Sequence, residues 1–167
     1  MKAHRDDQDA RRHVTFAANN GEIGGGEIML LQMARAAISA GWGVSVVGPN
    51  APNGVLDKAE EEGARTIRLA SGRRDYIWQL RRWDRQRSGL LWCNGLVPAF
   101  ATAGRARRVV HLHRLPEGIQ VPAAHVARLH ADRTIVPSHF MADRLKGAST
   151  LPNWSQEVRP FSGLGRA

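Results

Sequence analysis

Short apolar runs alternate with longer amphipathic segments along most of this chain. The apolar runs predict six strands and a shorter seventh, in the order Val14–Ala18, Gly43–Gly48, Ala64–Leu69, Gly89–Cys93, Arg108–Leu112, Thr134–Val136 and Thr150-Leu151. The amphipathic segments predict helices over Glu27–Ala40, up to about Glu62, and over Arg74–Arg87, Val97–Ala103, Ala123–His130 and Ser138–Lys146. Strands and helices that alternate in this way are typical of an α/β domain, in which helices cover both faces of a parallel sheet. The buried face of the first helix is predicted by the spacing of Ile28, Leu31, Ala34 and Ile38.

A run of glycines connects the first predicted strand to the first predicted helix. Asn19-Asn20 ends the strand, and Gly24, Gly25 and Gly26 precede Glu27. Because glycine has no Cβ, a phosphate or carboxylate can approach the backbone amides and the positive end of the helix dipole. The loop therefore predicts an anion-binding crevice at the carboxyl end of the first strand. Tight packing of strand against helix, without a ligand, is the alternative interpretation.

A nicotinamide cofactor is a competing ligand for such a loop. Its fingerprint is G-x-G-x-x-G, with an acidic residue at the end of the second strand that binds the ribose. Here the second strand ends at Gly48-Pro49-Asn50, which provides no carboxylate. The sequence therefore disfavours a dehydrogenase.

Composition and charge narrow the class of protein. The chain has 167 residues, 43% of them hydrophobic, which suits one ordinary domain, and no run approaches the roughly 20 apolar residues of a membrane span. Its formal net charge of +9 comes almost entirely from arginine. Such a surface attracts phosphorylated molecules, anionic lipid or nucleic acid, but no recognisable nucleic-acid-binding module accompanies it, so we expect no nucleic acid partner.

Cys93 is the only cysteine, which excludes an internal disulfide and favours a cytoplasmic location.

Five segments in order resemble the N-terminal, acceptor-side half of family 4 glycosyltransferases, which are retaining enzymes of the GT-B fold. They are Gly24-Gly25-Gly26-Glu27 with the following Ala40–Val47, Leu91-Trp92-Cys93-Asn94-Gly95, Val109–Glu117 with its His111-Leu112-His113, Ala131–Phe140, and Leu151-Pro152-Asn153. The chain departs from the family pattern at Trp42, at Arg114, where an acid is usual, and at Trp154, where glycine is usual.

The resemblance implies a Rossmann-like three-layer domain over residues 13–153, with strand order 3-2-1-4-5-6-7. Residues 1–12 are expected to form a disordered arm, and residues 154–167 a tail or the start of an interdomain linker. Family members carry a second Rossmann-like domain that binds most of a nucleotide diphosphate sugar. Since the sequence stops where that domain would begin, we expect the isolated chain to be inactive unless a partner chain supplies it.

The same resemblance implies the site residues. The glycines 24–26 and Glu27 would lie beside the donor diphosphate and the acceptor, with Asn94 and Gly95 facing the same crevice. His113 would be the catalytic residue that contacts the transferred sugar or the acceptor. The resemblance implies no cofactor and no bound metal, and no carboxylate or cysteine completes a metal shell with the histidines at a recognisable spacing. Two alternatives stay open: a non-catalytic subunit of a split glycosyltransferase, and a small flavodoxin-like nucleotide-binding protein.

The most basic stretch, from Arg73 to Arg87, has two interpretations. As an amphipathic surface helix it would contact anionic lipid at the inner face of the membrane. As an ordinary helix of an α/β domain it would pack Ile77, Leu80 and Trp83 on the sheet and leave its arginines in solvent. The second interpretation is favoured.

Overall fold

Seven parallel strands form one sheet in a computed structural model that describes residues 12–154. They are β1 (His13–Ala18), β2 (Gly43–Pro49), β3 (Arg65–Leu69), β4 (Leu90–Asn94), β5 (Arg108–His111), β6 (Arg133–Val136) and β7 (Ala148–Thr150). Their order in the sheet is β3-β2-β1-β4-β5-β6-β7, and every neighbouring pair is parallel. The predicted α/β class, the parallel sheet and the strand order are confirmed.

Six α-helices connect these strands within residues 12–154. They are α1 (Gly25–Ser39), α2 (Gly54–Glu61), α3 (Arg73–Trp83), α4 (Leu96–Ala101), α5 (Gln120–Ala127) and α6 (His139–Arg144). Helix α5 begins three residues before the predicted start because Pro122, in its first turn, needs no intrahelical amide partner. Ser138 caps α6 as a serine at that position should, because its Oγ accepts a hydrogen bond from the Met141 amide at 3.3 Å.

The hydrophobic core lies on both faces of the sheet. Phe16 and Val46 point toward α1 and α2, whereas their neighbours Ala17 and Val47 point toward α3 and α4. This alternation follows from the two-residue period of a strand, and it produces three layers.

The predicted buried face of α1 is confirmed at three of its four positions. Leu31 and Ala34 are buried and Ile38 is partly buried against the same core, whereas Ile28 is 49% exposed. Met29, Leu30 and Met33 are buried as well, so the buried face is wider than the predicted stripe.

One arginine belongs to the core. Arg108 of β5 is fully buried, and its guanidinium donates to the carbonyls of Ala99, near the end of α4, at 3.0 Å and of Ala127, at the end of α5, at 2.7 Å. It also donates to the carbonyl of Leu129 just beyond α5. The last carbonyls of a helix lack intrahelical partners, so this one cation satisfies the C-terminal ends of two helices.

Two expectations about the chain lie almost wholly outside the described residues. The N-terminal arm of residues 1–12 and the tail of residues 154–167 stay predictions. Within residues 12–154, no helix is both long and apolar enough to span a bilayer.

Candidate functional site

A cavity of about 410 Å³ opens at the carboxyl edge of the sheet. Four connections line it. They contribute Asn19, Asn20 and Gly24–Glu27 after β1, Arg73 after β3, Gly95–Val97 after β4, and Leu112–Arg114, Pro116 and Gln120 after β5. All carboxyl ends of parallel strands meet at one edge, which is why residues so far apart in sequence converge here. The predicted residues Gly24, Gly25, Gly26, Glu27, Gly95 and His113 all lie in this cavity.

The glycine loop forms one wall of the cavity. Gly24 caps α1 in an extended conformation, and Gly25 and Gly26 are the first two helical residues. A Cβ at Gly26 would lie 3.0 Å from Cδ2 of His113, so a larger residue would displace the histidine. A Cβ at Gly25 would meet nothing within 4 Å.

Glu27 folds back over the loop that it follows. As the third residue of α1, it stands at the acidic position of a capping box, and the backbone amides of Gly24 and Asn20 and its own favour its charged form. Burial nevertheless raises the pKa of the Glu27 carboxyl. Within residues 12–154, the amides of Gly25 and Gly26 donate to no acceptor and are available to a ligand.

A buried amide connects the glycine loop to β5. Asn94 is fully buried; its Nδ2 donates to the carbonyl of Gly26 at 2.9 Å, and its Oδ1 lies 2.8 Å from Nε2 of His113. Asn94 was expected to face the crevice, but it lies beneath the cavity floor and does not line it. Asn94 therefore holds together Gly26 and His113, which do line the cavity.

His113 is half-buried and rests on a second histidine. The ring of His111 lies 4.2 Å from that of His113, centroid to centroid, and accepts a long hydrogen bond from Trp92 Nε1 at 3.4 Å. Burial, reinforced by His113, lowers the pKa of His111 to about 3, and burial lowers the pKa of His113 as well. Both rings are therefore neutral at neutral pH. Within the described chain, Nδ1 of His113 is buried without a hydrogen-bond partner.

Gly95 turns the chain from β4 into α4. Its φ is +119°, and a Cβ there would lie 2.5 Å from Oδ1 of Asn19. That same Asn19 oxygen accepts from the Val97 amide at 3.1 Å. Gly95 thus allows the loops after β1 and β4 to contact each other, and a side chain would separate them.

The start of the glycine loop is anchored from the other face of the sheet. Tyr76 of α3 is buried, and its hydroxyl donates to the carbonyl of Ala18, the last residue of β1, at 2.7 Å. Burial raises the pKa of the Tyr76 phenol, so it remains a donor. The packing of Tyr76 and Leu80, with Ile77 and Trp83 beside them, matches the favoured interpretation of this helix.

Two cationic residues of the cavity were missed. Arg73 is the first residue of α3, and Arg114 lies three residues beyond the end of β5. Each follows a strand at the carboxyl edge of a parallel sheet, and that position could have identified both. Among the residues that the structure describes, Glu27 is the only carboxylate that lines the cavity. Nowhere in residues 12–154 are three His, Cys, Asp or Glu side chains grouped closely enough to hold a metal ion.

A comparison with protein families matches residues 23–158, most of the chain, to a family described as Glycosyltransferase Family 4. No curated protein and no solved structure matches the chain. The matched segment begins just before the glycine loop and includes Asn94, Gly95, His113 and both cavity arginines.

Proposed function

The chain belongs to glycosyltransferase family 4, and from this we propose that its cavity is the acceptor-side half of a sugar-transfer site. The sugar would come from a nucleotide diphosphate sugar and go to a hydroxyl group of the acceptor. The single observation that carries this proposal is that the Gly25 and Gly26 amides have no acceptor within residues 12–154 and belong to a loop that lines a cavity with two arginines and one carboxylate.

Such a cavity suits a reaction whose leaving group is an anion. The bond between the anomeric carbon and the diphosphate oxygen breaks, and the acceptor oxygen bonds to that carbon on the same face. The acceptor proton passes to the departing phosphate oxygen. The protein's contribution is to align the hydroxyl and to stabilise the negative charge on the leaving group, for which backbone amides are already oriented.

The geometry favours a positioning role for His113 over direct participation. Its Nε2 is bonded to Asn94, and its Nδ1 is buried, so neither nitrogen faces the cavity. Its Cδ2 lies against Gly26, whose carbonyl Asn94 also holds. His113 therefore fixes the position of the loop that would bind the diphosphate.

The proposal includes the partners of this protein and the place in the cell where it acts. A second Rossmann-like domain would bind most of the donor nucleotide, and the reaction would take place in the cytoplasm. Trp78 is 74% exposed on α3, next to the helix's arginines, and it provides the contact if the protein associates with an anionic membrane surface. A flavodoxin-like or nicotinamide-binding protein is less well supported, since the family match is to glycosyltransferases and β2 ends at Pro49 without a ribose-binding carboxylate.

Pyrophosphate titration tests the site directly. The amide resonances of Gly25 and Gly26 in the isotope-labelled chain should shift with pyrophosphate. Gly25→Pro removes one amide at a position where proline fits a helix start, after an extended Gly24, and it should weaken binding. Gly25→Ala keeps the amide and is the matched control. Unshifted loop resonances at saturating pyrophosphate, or equal affinity of the two variants, would contradict the proposal.

Sugar transfer itself is tested with the protein purified from its source together with any partner that co-purifies with it. Release of nucleoside diphosphate from nucleotide sugars is the measurement. The Gly25→Pro preparation should release less than the Gly25→Ala preparation. Equal release of nucleoside diphosphate from both preparations would mean that the Gly25 amide takes no part in sugar transfer.

A further inference from the structure

We propose that Arg73 and Arg114 form a subsite for a phosphate group carried by the sugar acceptor. This inference rests on the proposed function, because it names the chemical class of the acceptor for the same cavity. The two residues follow β3 and β5, which lie on either side of β2, β1 and β4 in the sheet. Their side chains nevertheless line one cavity.

Neither guanidinium has a protein partner. Within residues 12–154, Arg73 and Arg114 make no hydrogen bond and no ion pair, and both are exposed. By contrast, Arg87 binds the Asp84 carboxylate at 2.7 Å, Arg108 binds backbone carbonyls, and Arg128 binds Thr134 Oγ1 at 3.1 Å. The fold satisfies those three arginines internally and leaves the cavity pair available to a ligand.

The start of α3 carries more positive than negative charge. Arg73 and Arg74 are its first and second residues, and Asp75 is the one acidic residue of the first turn, so one of the two cations at the positive end of the helix dipole is not offset there. Arg81 and Arg82, in the last turn of the same helix, have the favourable arrangement. A ligand phosphate beside Arg73 would reverse the sign of the interaction at the helix start.

Within residues 12–154, Glu27 is the one acidic residue that lines the cavity with these arginines. Its carboxylate lies at the glycine loop, where burial raises its pKa, and His113 and the adjacent His111 are neutral. A guanidinium binds a phosphate through two parallel hydrogen bonds, and two guanidiniums match the charge of a phosphate monoester.

The donor diphosphate is a second source of the same chemistry. It has its own donors, however, in the amides of Gly25 and Gly26. Arg114 also lines an adjoining cavity of about 630 Å³ with the hydroxyl of Ser138, the amide of Gln120 and one carboxylate, that of Glu117. A phosphorylated acceptor would therefore have room beyond the glycine loop. This favours the acceptor, and not the donor, as the source of the phosphate group that the two arginines bind.

Titrations of the chain with small phosphates test the subsite. Glucose 6-phosphate or glycerol 3-phosphate should bind, whereas glucose and glycerol should not. Arg73→Gln and Arg114→Gln should each weaken phosphate binding by about tenfold or more, as expected for the loss of a charge-assisted contact. Arg74→Gln, one residue along but outside the cavity lining, should change it by less than about twofold. Pyrophosphate should still shift the Gly25 and Gly26 resonances in all three variants.

The possible results separate this proposal from the proposed function. If neither sugar phosphate binds better than its unphosphorylated form, the subsite is wrong. If the two cavity variants lose pyrophosphate and sugar phosphate equally, the arginines serve the donor, and the subsite is again wrong. If sugar phosphate binding depends on the arginines while pyrophosphate leaves the loop unchanged, the subsite stands and the donor site at the loop fails.

Discussion

Asn94 and His113 fix each other's chemical form. Because the Gly26 carbonyl can only accept, the atom of Asn94 that faces it must be Nδ2, and Oδ1 must face His113. Oδ1 in turn can only accept, so His113 Nε2 must carry the proton. Neutral His113 is therefore the Nε2–H tautomer, and its Nδ1 holds the free lone pair. The ring nitrogen shifts of His113 in a labelled sample should report this tautomer.

Replacement of Asn94 should destabilise the protein and loosen the loop. Asn94→Leu leaves the Gly26 carbonyl and the His113 Nε2 proton without partners in a buried place. We expect a loss of about 2–4 kcal/mol in the free energy of unfolding, measured in urea. Asn53→Leu is the control, since Asn53 makes only an exposed hydrogen bond to Asp57, and it should cost less than about 1 kcal/mol. Equal costs at the two positions would argue against a buried network.

The buried histidines make stability depend on pH. The folded pKa of His111, about 3, lies below the ordinary 6.5, so the unfolded chain binds protons first on acidification. The contribution of His111 to the free energy of unfolding is complete above about pH 6.5, and it falls by about 1.4 kcal/mol per pH unit as the pH drops toward 3. The contribution of His113 changes in the same direction. Because the pKa of Glu27 is raised, its contribution is instead lost as the pH rises.

A variant isolates the contribution of His111. His111→Phe keeps a ring of similar size but removes the titrating group, so its unfolding free energy should depend less on pH between 4 and 6 than that of the wild type. His125→Gln changes a histidine on the surface and should leave the slope unchanged. If the His111→Phe protein kept the full slope, the pH dependence would arise elsewhere.

Two glycines of the site should respond differently to alanine. Gly95→Ala places a Cβ against Asn19 at a φ of +119°, so we expect a loss of about 2–4 kcal/mol in stability and altered resonances in both loops. Gly25→Ala meets open space and replaces glycine at a helix start, so it should change stability by less than about 1 kcal/mol. Chemical denaturation of both variants is the measurement. A harmless Gly95→Ala would mean that the two loops can separate.

The buried guanidinium of Arg108 should resist replacement by another cation. Lysine keeps the charge, but a single ammonium cannot reach the carbonyls at the ends of both α4 and α5. We expect Arg108→Lys to cost about 3 kcal/mol or more, because a buried cation loses partners. Arg107→Lys, at an exposed neighbouring position, should cost less than about 0.5 kcal/mol. Hydrogen exchange at the ends of both helices would show whether they open together in the Arg108→Lys protein.

The sequence predicted the architecture because its signals are local and repeated. Strand runs bounded by glycine and asparagine fixed the β-α succession, and parallel pairing then brought Gly24–Glu27, Gly95 and His113 to one edge. The strand order came from the family resemblance, since no local pattern states which strands are neighbours.

The details that escaped prediction depend on where side chains point. Asn94 ends β4 at the predicted carboxyl edge of the sheet, yet its side-chain amide lies beneath the cavity floor, where it bonds to Gly26 and His113. Arg108 was predicted only as the first residue of the fifth strand, and the packing of α4 and α5 around it makes it a core residue. Arg73 was grouped with a basic surface helix because helical periodicity does not show that the first residue of a helix reaches a neighbouring cavity.

The bond from Tyr76 to Ala18 joins opposite walls of the cavity. The helix that begins with Arg73 holds, through one phenol, the strand end from which the glycine loop departs. A ligand that contacted both Arg73 and the glycine loop would therefore bind two segments whose relative position this hydrogen bond already restrains.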